Sequence, residues 1–169
     1  RFIFLTRRAD AQLDFDVELA KKQTLDNPVL YVQYGHARLA AIARKAAELG
    51  VPVPGFDLEA ARRLVMPEEQ DLVRRIAAFP DVLSGAALAY EPHRVAFYLQ
   101  ETIAAFHSYY TQGKNSGERV IGDDPRKTAG RLFLCRALKQ TLANGLAVLG
   151  VGAPDRMESP ETSDIADDV

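Results

Sequence analysis

The sequence predicts an all-α fold, an antiparallel bundle of four to five helices. Three observations carry this. Long segments with apolar residues at three-four spacing alternate with Pro- and Gly-rich breakers. No run shows the β-branched alternation of a half-buried strand. The 169 residues, 47% apolar, are enough for one compact core.

The first long helix opens at Asn27-Pro28, an N-cap followed by Pro at the first helical position. Apolar or small residues recur at positions 32, 35, 39, 42, 46 and 49 as one buried stripe. Gly50 closes the helix, and Pro52 and Pro54 prevent its continuation. A single helical turn is expected within 57–64. The next helix starts at Pro67-Glu68-Glu69, where acids complement the helix dipole. Its expected apolar face is Leu72, Val73, Ile76 and Phe79, and Pro80 is expected to break or kink it. The pattern resumes from Val82 to Tyr90.

Pro92 begins a further helix with Val95, Leu99, Ile103 and Phe106 inward; a polar loop is expected at 113–117. Asp123-Asp124-Pro125 starts the last one, which runs to Leu149 and stops at Gly150. Leu134, Leu138, Leu142, Gly145 and Leu149 share one face of it. Gly145 costs about 1 kcal/mol against Ala in mid-helix. A neighbouring helix is therefore expected to press close there.

No apolar run approaches the roughly 20 residues that span a bilayer. The chain starts in an apolar segment and without Met, and reads as a piece of a longer protein. Its single cysteine, Cys135, sits among apolar neighbours and reads as a buried thiol in a reducing, cytoplasmic setting. The last twelve residues hold five acids and no base, and read as a disordered tail. Without them the body carries 21 basic and 18 acidic residues, about +3. That balance permits nucleic-acid binding without arguing for it.

Signatures of catalysis are missing: no glycine-rich phosphate loop, no zinc-type Cys/His spacing, no nucleophile elbow. His36 falls at the core edge and reads as a structural histidine. Asp14, Asp16 and Glu18 read as helix-start acids. The remaining candidates suit recognition. Tyr31, Tyr34 and Arg38 are spaced i, i+3, i+7 and form a stripe beside the apolar one. Phenols and a guanidinium in a row can stack unpaired bases and meet a phosphate. Gln33 adds an amide, and Tyr109 and Tyr110 lie near the end of the third helix. Arg126, Lys127 and Arg131 occupy the first turns of the last helix, where a helix N-terminus favours anions. The competing reading makes the tyrosines helix–helix packing and the bases a solvated face.

Six ordered blocks resemble the C-terminal part of bacterial arginyl-tRNA synthetase, a class I aminoacyl-tRNA synthetase. They are Arg1–Leu5 with Leu13–Gln23, then Asn27–Val29 with Tyr31–Arg38. Phe79–Val82, Glu91–His93 and Ala129–Leu132 follow, and Leu149–Met157 ends the series. Together they extend over residues 1–157. The resemblance implies an α-helical anticodon-binding domain of the type named for an Asp-Ala-Leu-Arg motif. Here that motif reads Thr128-Ala129-Gly130-Arg131, matching at Ala129 and Arg131.

On this reading residues 1–25 are a stem from the catalytic domain, 26–157 the anticodon-binding domain, and 158–169 the acidic tail. The implied partners are the anticodon stem-loop of tRNA(Arg) and a catalytic domain in cis, with no membrane or DNA. The implied RNA contacts are Gln33, Tyr34, Arg38, Tyr109, Tyr110, Arg126, Lys127 and Arg131. No cofactor belongs to this segment; the parent would use ATP with Mg. The segment alone is expected to be inactive. Two alternatives stay open: the related domain of the glycyl-tRNA synthetase β subunit, and a helical protein-interaction module without RNA binding.

Overall fold

The computed structural model describes residues 1–8, 11, 16–21, 24–52 and 55–157. The expected acidic tail, and the Leu13–Phe15 part of the first block, lie outside them. Among the described residues every regular element is helical. The short helices are α1 (Phe2–Leu5), α2 (Val17–Lys21) and α4 (Leu58–Ala61). The long ones are α3 (Pro28–Glu48), α5 (Pro67–Ala89), α6 (His93–Ser116) and α7 (Pro125–Val148). The expected bundle is therefore the observed one.

The expected helix boundaries follow local chemistry. The Asn27 side chain accepts from the Val29 amide at 3.2 Å, with Pro28 in the first turn of α3. Asp124 accepts from the amides of Arg126 and Lys127 at 2.9 and 3.2 Å. These bonds hold the Asp124 carboxyl below the usual range. Gly50 and Gly150 take the left-handed backbone just past α3 and α7.

The core is one cluster drawn from the four long helices, Phe2 of α1, Val120 between α6 and α7, and Leu149 just past α7. Val95, Leu99, Ile103 and Phe106 of α6 are buried at its centre, facing Leu138, Leu142 and Leu146 of α7. Two close approaches set the spacing. A Cβ on Gly145 would lie 2.6 Å from Leu99 Cδ2, which is the contact expected there. A Cβ on Gly35 would overlap the Ile103 side chain, so α3 and α6 meet almost backbone to side chain.

Four local expectations are corrected. Pro80 does not break α5, which runs unbroken through it. Packing steadies this stretch from α6: Tyr98 Oη donates to the Arg75 carbonyl at 2.8 Å, and Phe79 stacks on Tyr98. Residues 113–116 are helical rather than a loop, and Gly117 (φ 78°) caps α6. Buried Gly113 lets that last turn rest on the Glu118 carbonyl, where a Cβ would be 2.6 Å away. Leu49 and Val73 are exposed, not core.

Candidate nucleic-acid interface

The closeness of α3 and α6 at Gly35 aligns their neighbouring faces. Tyr31 and Tyr34 both meet the His107 ring edge-on, with centroids 5.1 and 6.4 Å apart. One turn on, the Arg38 guanidinium lies over the Tyr110 ring, 4.4 Å from its centroid. Phe106 backs both His107 and Tyr110 at 5.9 Å. Tyr34, Arg38, His107 and Tyr110 are all half-buried. The result is an aromatic strip along the α3/α6 seam, with edges in contact with solvent.

Its electrostatics are simple. Burial, and then the Arg38 charge, pull the His107 pKa down to about 4. Burial raises that of Tyr31. At neutral pH the imidazole is therefore neutral, and Arg38 is the strip's cation. Beside the strip, His107, Ser108, Thr111, Gln112, Asn115 and Ser116 line an open hollow of about 630 Å³. Its hydroxyls and amides suit base edges and 2′-hydroxyls.

The structure brings Tyr34, Arg38 and Tyr110 to this region. Gln33 instead holds the C-terminal segment: its amide donates to the Gly152 carbonyl at 2.8 Å. The same C-terminal strap is held by His36, whose Nδ1 donates to the Pro154 carbonyl at 2.8 Å. Arg44 donates to the Asp155 carbonyl, and Lys139 pairs with its carboxylate. His36 is thus the structural histidine expected. Arg126 is exposed on the first turn of α7. Lys127 pairs with Glu118 at 3.0 Å.

Two of the expected contact residues lie in the interior. Tyr109 is 1% exposed and turns inward, its hydroxyl 3.5 Å from Glu69 Oε1. Burial, above all, drives its pKa upward. Arg131 is 3% exposed. Its Nε donates to Glu69 at 2.7 Å, one Nη to Glu118 at 2.6 Å, and the other to the Arg119 carbonyl at 2.8 Å. Three of its five N–H donors are held this way and a fourth points at Met66 Sδ, 3.6 Å away, so the enclosed guanidinium faces carboxylates and a carbonyl rather than solvent. Cys135 is buried as expected, its pKa pushed up to about 12 by desolvation.

Sequence reasoning missed His107, Glu69 and Glu118. Glu69 was legible only as a helix-start acid; it does accept from the Met66 amide at 3.1 Å, besides holding Arg131. His107 lies one residue after core Phe106 and lacks any local signal of its partners, which sit on another helix.

Residues 32–157 match the DALR anticodon binding domain family. The chain belongs to that family. The chain is 84% identical, over all 169 residues, to part of the arginine–tRNA ligase of Anaeromyxobacter sp. (strain K). It is 48% identical over 157 residues to that of Geobacter metallireducens. The chain spans 28% and 27% of those two proteins. Among solved structures it resembles Thermus thermophilus arginyl-tRNA synthetase. The TM-score is 0.76 at 30% identity, covering 92% of this chain and 25% of that one. Against the DALR motif, the structure gives Arg131 a definite place, in the interior between α5, α7 and the segment after α6. Among the described residues no cluster of three or more His, Cys, Asp or Glu could hold a metal ion. Nor is any helix long and apolar enough to cross a membrane.

Proposed function

We propose that this chain is the C-terminal tRNA-binding part of an arginine–tRNA ligase, and that the α3/α6 strip receives the anticodon loop of tRNA(Arg). Family membership and the 84% identity to such a ligase support the first part. The observation that carries the second is Arg38 over Tyr110, flanked by Tyr34. The half-buried rings offer apolar surface for splayed bases to pack against, and the adjacent cation offers charge to the backbone. The hollow along α6 adds neutral hydrogen-bonding groups.

The chain does no chemistry of its own on this reading. It fixes one end of the RNA so that the acceptor end reaches a catalytic domain in cis, where ATP with Mg would be used. Binding energy spent here becomes orientation there. The parent would work in the cytoplasm. Kinetics of the full-length ligase test this. Tyr34→Ala with Arg38→Ala should raise the KM for tRNA at least tenfold and leave the KM for arginine and ATP unchanged. An unchanged KM for tRNA would overturn the assignment and favour a protein-interaction role.

A further inference from the structure

Beyond Arg38, where α3 and α6 end, a second cavity opens that the aromatic strip does not use. We propose that this cleft takes one unstacked base of the bound RNA, and that Arg131 is the positioning residue that holds its wall. The inference rests on the reading above and adds a subsite to it. The cleft has about 270 Å³ of free volume. That is near the lower end of small-molecule sites, room for one heterocycle rather than an extended ligand. Ile42 of α3 and Leu49 at its end, Tyr110 of α6, and Val120 and Ile121 beyond it make its walls apolar. Lys45, Lys114 and Arg119 stand around them, and the one lining acid, Glu118, is held by Arg131 and Lys127. An apolar slot among cations suits a neutral ring attached to a phosphate chain better than a free anion.

Its position fits the strip. Tyr110 carries Arg38 over its ring and also lines the cleft. Lys45 lies seven residues after Arg38, about 10 Å along the helix. A strand whose backbone passes Arg38 would bring its next nucleotides to this opening.

The wall is built rather than incidental. Arg131 donates to the Arg119 carbonyl and the Glu118 carboxylate while anchored to buried Glu69. Lys127 holds Glu118 from outside. Gly113 lets α6 close against the Glu118 carbonyl. Arg131 and Lys127 of α7 and Gly113 of α6 thus fix Glu118 and Arg119, both of which line the cleft. The exposed Leu49 then has a use: it is a rim residue of a pocket, not a failed core residue.

The test uses the full-length ligase and a hairpin RNA carrying an arginine anticodon, with single abasic sites placed through the loop. Binding is read by fluorescence anisotropy. Leu49→Trp fills the slot from an exposed rim position, so folding should survive. The wild type should lose about tenfold in affinity at one abasic position that is not the one coupled to Tyr34→Ala. Leu49→Trp should weaken the intact hairpin by a similar factor and remove the sensitivity at that position alone. Glu118→Ala, which frees the wall, should blunt the same sensitivity and leave the Tyr34 dependence intact. The cleft is excluded as a base site if Leu49→Trp matches wild type at every position while Tyr34→Ala still weakens binding. If neither variant alters binding, the strip assignment fails and this one with it. A Glu118→Ala variant that keeps full sensitivity removes the positioning role of the Arg131–Glu118 pair.

Discussion

Arg131 and Glu69 form an ion pair at 2.7 Å in the interior, joining α7 to α5, with side chains 4% and 0% exposed. Without Arg131, Glu69 would be a fully buried carboxylate that has lost its neutralising cation. Arg131→Ala should therefore lower stability by about 3–5 kcal/mol, read by urea unfolding. It should leave unchanged the slope of log affinity for tRNA against log salt, since no phosphate is met. A slope reduced by about one would restore Arg131 as a phosphate contact.

Arg38 should behave the opposite way. Replacing it with Ala removes the charge over Tyr110 from a half-buried surface. The salt slope should fall by about one, and tRNA affinity should drop with little change in unfolding midpoint. Equal loss of stability and affinity would mean that Arg38 only packs the seam.

His107 makes the fold acid-sensitive. Its pKa falls from 6.5 to about 4 on folding, chiefly through burial. The unfolded chain therefore binds the proton more readily between those values. The stability this provides is complete above pH 6.5 and is lost as pH falls toward 4. His107→Phe should flatten the thermal midpoint across that window. A curve as steep as wild type there would point to other groups. The carboxyls of Glu118, Asp124 and Asp155, all held low, contribute mainly below it.

Gly35 sets the distance on which the seam depends. Gly35→Ala forces its methyl into Ile103 and should cost about 1–3 kcal/mol, measured by chemical unfolding. Ile103→Ala in the same chain should recover part of that loss, although alone it destabilises by leaving a cavity. Additive losses in the double variant would show that the two residues do not compete for space.

The sequence by itself determined the helices and their faces. Asn27-Pro28, Asp124-Pro125, Gly50 and Gly150 act within one turn of themselves, so their meaning needs no partner. The inward sets of α6 and α7 follow from period alone. Gly145 could be read as a close approach because nothing else explains its cost. Tertiary structure decided the rest. Tyr109 and Tyr110 are adjacent and equivalent to any local rule. A rotation of about 100° per residue sends one to Glu69 and leaves the other under Arg38. Arg131 looked like a phosphate ligand because its carboxylates come from residues 62 and 13 positions away. Pro80 looked like a break because Tyr98, which supports that stretch, lies on another helix. Burial and pairing across helices are long-range facts, and they alone separate a recognition side chain from one that holds the bundle together.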